Sequence, residues 1–116
     1  MVNNRDDHTK NFSYQMDKTG QWCLSPAYDV TYCPGPNGWH QMDVCGEALN
    51  IGRAHMMQLA TEANLPERAA GELIEKMRGV ASQFTSIAQN LHHGVITADT
   101  LKEIQGRIDA NLANLR

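Results

Sequence analysis

The amino-acid sequence predicts an α+β fold that is mainly α. Apolar residues alternate with polar ones over residues 12–24, as in a β-hairpin, and from about residue 54 they recur at helical spacing. With 116 residues, the chain has the length of one small domain with one core. We therefore expect a single domain over residues 1–116, with the hairpin at the front and a helical body over residues 54–116.

The hairpin is predicted from two apolar runs on either side of a turn-like segment, Asp17–Gly20. The alternating residues are Phe12, Tyr14, Met16, Trp22 and Leu24. A four-residue turn would return the second strand along the first, so Leu24 is expected near Phe12. We expect the Trp22 side chain to face inward and to anchor the hairpin to the helices.

Proline and glycine mark the end of the hairpin. Pro26 ends the second strand, and residues 33–41 contain two prolines and two glycines, which predicts an exposed loop. Residues 42–51 are expected to form a short strand or an irregular segment. A first helix is predicted over residues 54–64.

Two longer amphipathic helices are predicted after that. Pro66 suits the first turn of a helix that runs to residue 91 and is ended by His92, His93 and Gly94. Its expected apolar stripe comprises Ala70, Leu73, Met77, Val80, Phe84, Ile87 and Leu91. Thr97 and Asp99 begin the last helix. Its apolar face comprises Leu101, Ile104, Ile108, Leu112 and Leu115. We expect the two helices to pack as a hairpin and form the main core.

Composition narrows the function classes. The net charge of −3 and the absence of a basic run disfavour direct binding to nucleic acid or to an anionic membrane. No apolar segment reaches the roughly 20 residues of a membrane span, and the first residues do not resemble a signal peptide. The three cysteines and five histidines do not follow a zinc-ligand spacing, so we expect reduced thiols and a cytoplasmic protein.

The chemistry-bearing residues are concentrated in two short motifs, RDDHTKN at residues 5–11 and PAYDV at residues 26–30. Asp6 and Asn11 are five positions apart, and the hairpin would bring Asp29 back towards Asn11. Mg²⁺ takes one or two carboxylate or amide oxygens beside substrate phosphates, while a further carboxylate can deprotonate an attacking hydroxyl. Protein kinases use this division of labour, which indicates Asp6 as the base and Asn11 and Asp29 as metal ligands.

The alternative to a catalytic site is an ordinary solvated loop. Asp7 or Thr9 would then cap a local turn, and Asp29 would cap the start of a helix. The spacing between Asp6 and Asn11 also arises by chance, so the two interpretations stay open on the spacing alone.

The two motifs together resemble the C-terminal half of the HipA-like serine/threonine kinases, toxins of bacterial toxin–antitoxin systems. RDDHTKNFSY matches their Asp-x-His-x-(Lys/Arg)-Asn-Phe-Ser signature, and WCLSPAYDV contains their Pro-x-Tyr-Asp. The resemblance implies that Asp6 is the catalytic aspartate and that Lys10 neutralises the transferred phosphate. It also implies that His8, Asn11 and Asp29 contribute to binding Mg²⁺ and ATP, with Asn11 and Asp29 as the metal ligands.

The resemblance is most specific over residues 5–30 and continues more weakly through residues 47–77. The strand lysine and glycine-rich phosphate loop of the kinase N-lobe are not found in this sequence. We therefore expect a catalytic half that is inactive until an N-lobe or split-kinase subunit joins it. The alternative is a non-catalytic remnant whose helical surface binds a partner such as a DNA-binding antitoxin. Exposed apolar surface also favours self-association, and the sequence does not indicate a protein substrate.

Overall fold

A computed structural model of the protein describes residues 1–91 and 94–116. Two antiparallel strands precede four helices, which confirms the α+β, mainly α class. The elements are β1 (Tyr14–Met16), β2 (Trp22–Leu24), α1 (Arg53–Glu62), α2 (Glu67–Ala81), α3 (Phe84–Leu91) and α4 (Ala98–Ala113). Short 3-10 turns lie at Thr9–Asn11 and Pro36–Gly38. Residues 42–51 are irregular, with one isolated bridge between Val44 and Glu47.

Helix α4 and Leu115, which follows it, provide five of the nine buried apolar residues in the described part of the chain. The Thr97 side chain caps it by accepting a hydrogen bond from the backbone N–H of Thr100 at 3.2 Å. The predicted apolar face is confirmed: Leu101, Ile104, Ile108, Leu112 and Leu115 are all buried. The cluster around Ile108 also includes Ala81 of α2, and half-buried residues pack against it: Met1, Tyr32, Met56 and Phe84. Segments from the whole chain therefore converge on one helix.

The prediction of one helix over residues 66–91 is wrong, because the chain breaks after Ala81 into α2 and α3. The Gly79 carbonyl accepts side-chain hydrogen bonds from Ser82 (2.9 Å) and Gln83 (3.2 Å), which compete with the helical ladder. Helix α3 then restarts against α4, where the Gln105 side chain accepts from the Thr85 N–H at 3.0 Å. The predicted end of this helix at His92 and His93 lies outside the described residues.

The break changes which apolar residues are buried. Helix α2 packs against α1 and α3 packs against α4, so the expected hairpin of two long helices is wrong. Ala70, Ile74 and Ala81 are the buried residues of α2. Five of the residues expected in the core stripe are exposed: Leu73, Met77, Val80, Ile87 and Leu91. Helix α2 consequently presents an apolar face, Leu73, Met77 and Val80, to solvent.

The hairpin forms as predicted, but its register and packing differ. Leu24 pairs with Tyr14 rather than with Phe12, and Met16 pairs with Trp22. The Asp17 carboxylate closes the turn by accepting from the N–H groups of Thr19 and Gln21. All six strand residues are exposed. The inward anchor expected of Trp22 is therefore wrong, because its side chain is 68% exposed on an uncovered apolar face.

The N-terminal segment is held between the chain at Cys33 and helix α4. Asn3 is 1% exposed, and its side chain donates to the Cys33 carbonyl at 3.3 Å while accepting from Asn111 at 3.3 Å. Backbone bonds from Cys33 N to Asn3 O and from Arg5 N to Cys33 O complete a short parallel bridge. Because the buried amide is satisfied on both sides, residues 3–5 have a fixed position on the helical body.

We expect Ile108→Ala to lower the free energy of unfolding by about 2–5 kcal/mol, since it leaves a cavity at a fully buried position. Leu73→Ala is the control, because it shortens an aliphatic side chain that is 56% exposed and should cost no more than about 0.5 kcal/mol. Urea unfolding of both variants measures the difference. Equal losses would contradict the assignment of α4 as the centre of the core.

Candidate functional site

The first motif forms a compact loop. After Asp6 and Asp7 the chain enters the 3-10 turn at Thr9–Asn11, in which the Asn11 N–H donates to the His8 carbonyl at 3.0 Å. The Asn11 side chain then turns back and donates through Nδ2 to the Asp6 carbonyl at 2.8 Å. The five-residue spacing therefore places Asp6 and Asn11 side by side, with the Asn11 Oδ1 left as an acceptor.

The second motif lies against the first. The Tyr28 hydroxyl donates to the Lys10 carbonyl at 2.8 Å, and the Asn4 side chain donates to the Asp29 carbonyl at 3.4 Å. Asp29 has a positive φ of 54°, which is uncommon outside glycine and which Asp tolerates better than most residues. Asp29 does not precede a helix, so its interpretation as a helix cap is wrong. The return of residues 26–30 to the loop is the arrangement that the hairpin predicts.

A cavity of about 140 Å³ lies where the motifs meet. Its polar lining includes Asn4, Asp7, Asn11 and Tyr28, and its remaining walls are mainly apolar residues of the hairpin and of residues 26–30. Asp6 and Asp29 lie outside this lining. A single cleft shared by Asp6, Asn11 and Asp29 therefore stays a prediction, as does a cation shared by Asn11 and Asp29.

The Asp6 carboxylate is held from a distant part of the chain. The Gln41 side-chain amide donates a hydrogen bond to Asp6 Oδ1, and His8 Nε2 lies 3.8 Å from the same oxygen. The ring of His8 is half-buried, and its Nδ1 has no hydrogen-bond partner among the residues that the structure describes. Lys10 is exposed, and its side chain is free to reach a ligand outside the loop.

Asp7 fastens the loop to the segment that contains Gln41. Its Oδ2 lies 2.8 Å from His40 Nδ1, and its Oδ1 accepts from the Gln41 backbone N–H at 2.9 Å. Partial burial raises the pKa of Asp7, but the hydrogen bonds from His40 and Gln41 outweigh burial and lower this pKa below its usual value. The turn at Thr9–Asn11 has no side-chain cap, so the interpretation of Asp7 as a local cap is wrong.

Sequence reasoning missed His40 and Gln41. They lie in the loop that was predicted from proline and glycine, 33 or more residues from the carboxylates they contact. No spacing rule connects them to the first motif. The signal that was present was the pair of adjacent carboxylates, since two acidic side chains in one loop require donors from elsewhere.

The donor set suits a hard cation better than a soft one. Asn11 and Asp29 offer amide and carboxylate oxygens, which Mg²⁺ prefers, and the buried Asn4 Oδ1 beside them has no hydrogen-bond partner within the described part of the chain. Across residues 1–91 and 94–116, no group of three or more His, Cys, Asp or Glu side chains could hold a metal ion. Cys23, Cys33 and Cys45 are free thiols. A cation held here would consequently need oxygens from a ligand as well.

Comparison with models of known protein families shows the family to which the chain belongs. Residues 1–84 match the model of the HipA-like C-terminal domain. The chain belongs to this family. The match includes both motifs of the HipA-like domain, α1 and α2, and it stops at the first residue of α3. No curated protein and no solved structure matched the sequence. None of the helices in the described part of this HipA-like domain has the length and apolar character needed to cross a membrane.

We expect the stabilising effect of Asp7 to disappear in acid. Because its pKa is lower in the folded state, its contribution is fully present above the unfolded pKa of roughly 4 and is lost as the pH falls through the folded pKa. Asp7→Asn should therefore be less stable than the unmodified protein at pH 7, by about 1 kcal/mol, and the difference should shrink below pH ~4. Urea unfolding across this range measures it, and a difference that does not change with pH would contradict the assignment.

Proposed function

We propose that this domain is the C-terminal catalytic lobe of an ATP-dependent HipA-like serine/threonine protein kinase. The observation that supports the proposal best is the joining of the two motifs by the Tyr28–Lys10 and Asn4–Asp29 hydrogen bonds. These bonds bring together, in a member of the HipA-like family, the two segments that carry the kinase-type residues. We place the proposed kinase in the cytoplasm, which supplies ATP and keeps thiols reduced. The three free cysteines agree with this location.

In this proposal Asp6 accepts the proton of the substrate hydroxyl as that oxygen attacks the γ-phosphorus. Asn11 and Asp29 would hold Mg²⁺ through side-chain oxygens, and His8 would contribute on the nucleotide side. When bound, ATP would supply the transferred phosphoryl group and leave as ADP, and Mg²⁺ would neutralise the charge of the phosphates. The Lys10 ammonium would balance negative charge that develops on the phosphate during transfer.

The proposed kinase also needs an N-lobe to grip the nucleotide, and the hairpin offers a surface for one. Two of the three cross-strand pairs are apolar, Tyr14 with Leu24 and Met16 with Trp22, and all four side chains are at least 58% exposed. An uncovered apolar face beside a candidate site is typical of an interaction surface. We propose that an N-lobe or split-kinase subunit covers this face.

The second candidate function is a non-catalytic binding module. The exposed apolar face of α2, formed by Leu73, Met77 and Val80, favours it because the residues follow helical spacing and lie far along the chain from both motifs. The partner would then be a protein such as a DNA-binding antitoxin, or a second copy of the chain. This function would not depend on Asp6 or Asp29.

We expect the 116-residue chain alone to transfer no measurable phosphate from ATP, because positioning and electrostatic stabilisation provide most of the catalysis and the phosphate-gripping elements are not in it. Mg²⁺ alone should bind weakly. With an N-lobe supplied in trans, transfer of labelled phosphate should appear. It should be lost with Asp6→Asn, which removes the base, and with Asp29→Asn, which removes the charge on the metal ligand.

Two exposed residues test where the N-lobe docks. Trp22→Ser should weaken both docking and transfer, whereas Met77→Ser on the α2 face is the control and should leave both unchanged. Transfer by the chain alone that survives Asp29→Asn would contradict both the need for an N-lobe and the metal site. Partner binding that is lost with Met77→Ser but kept with Asp6→Asn would favour the binding module.

A further inference from the structure

We propose that Gln41 is a positioning residue that fixes the orientation of the Asp6 carboxylate. The role of Asp6 as a base rests on the proposed function, whereas its orientation by Gln41 rests on geometry alone. The Gln41 amide donates to Asp6 Oδ1 across 35 residues of sequence. Nothing in the first motif itself performs this role, since the other close group, His8 Nε2, lies 3.8 Å from the same oxygen.

The Gln41 amide reaches Asp6 from a segment that is itself fixed. The Gln41 backbone N–H donates to Asp7 Oδ1 at 2.9 Å, and His40 Nδ1 contacts Asp7 Oδ2 at 2.8 Å. An ionised carboxylate only accepts hydrogen bonds, so His40 Nδ1 is the donor in this contact. The His40 backbone N–H also donates to the Ala48 carbonyl at 2.8 Å, which ties this segment to the following loop. The adjacent carboxylates of Asp6 and Asp7 are thus held by two adjacent residues, His40 and Gln41.

The arrangement distinguishes the two oxygens of Asp6. Among the described residues, both side-chain contacts fall on Oδ1. Oδ2 is therefore the oxygen that is left to receive a proton from a substrate hydroxyl. A carboxylate on a loop has free rotation about its side-chain bonds unless a second contact restrains it, and a base must be held close to its productive geometry to act. Gln41 supplies that restraint.

The hydrogen bond from the Gln41 side chain to Asp6 can be removed without removing the backbone bond of Gln41 to Asp7. Gln41→Ala deletes the amide, but the backbone N–H bond to Asp7 and the His40 contact do not involve the Gln41 side chain and remain. The Gln41 side chain is exposed, so the substitution leaves the core unchanged. Gln58→Ala is the matched control, because the exposed Gln58 amide donates to the Glu62 carboxylate at 3.0 Å on α1, away from the loop.

The test is an NMR measurement of the Asp6 Hα–Hβ scalar couplings in the 116-residue chain. Unmodified protein and Gln58→Ala should both show the couplings of a single χ1 rotamer, which are one large and one small value for χ1 near 180° or −60° and two small values for χ1 near +60°. Gln41→Ala should show two averaged couplings. Gln41→Glu should do the same, because it replaces the donor with a second carboxylate. Averaged couplings in the unmodified protein, or a single Asp6 rotamer that persists in both Gln41 variants, would overturn the proposal.

The kinase assembled with an N-lobe gives an independent measure. Gln41→Ala should lower kcat by about 10- to 100-fold and leave the KM for ATP unchanged, since a displaced base slows the chemical step without weakening nucleotide binding. An equal loss with Gln58→Ala, or a change confined to KM, would contradict positioning. Transfer that persists with Asp6→Asn would instead refute the proposed function, and the NMR couplings would still decide whether Gln41 holds the Asp6 side chain in one rotamer.

Discussion

The arrangement of the site depends on one buried amide. Asn3 is enclosed between the Cys33 carbonyl and the Asn111 side chain, and an unsatisfied amide at this depth would cost on the order of 1–3 kcal/mol. Because both ends of the amide are paired, the backbone at residues 3–5 has one position on α4. Asp6 and Asp7 follow directly, so their direction out of the body is set by a residue that takes no part in the proposed chemistry.

Much of the fold could be predicted because its signals are local. The apolar face of α4 and the turn at Asp17 each follow from residues within a few positions of one another. The bonds from Ser82 and Gln83 to the Gly79 carbonyl at the break are also local, but the restart of the chain as α3 could not be predicted in the same way, because Gln105 of α4 supplies the acceptor. The apolar stripe through residues 66–91 is continuous in sequence, but in the structure it is divided between the two helices α2 and α3. For the same reason, periodicity alone did not indicate that Leu73 would be exposed.

In the candidate site, too, some features follow from local sequence signals and others only from tertiary contacts. The positions of Asp6 and Asn11 in one loop, and the return of residues 26–30 to it, follow from spacing and from the hairpin. The donors that orient the carboxylates, His40 and Gln41, come from a loop whose sequence indicates only turns. Motifs identify which residues act, whereas the contacts that hold them arise from the tertiary fold.

The contact between Asn111 and the first residues of the chain has a consequence for protein synthesis. Asn111 donates to the Met1 carbonyl at 3.1 Å and to the Asn3 side chain, across more than 100 residues of sequence. The loop that carries Asp6 is translated before Asn111, so its support exists only after α4 has been translated. The motifs therefore acquire their final geometry late, and contacts of such high sequence separation slow folding. The apolar face of the hairpin is exposed during this interval, and it is still exposed in the folded chain.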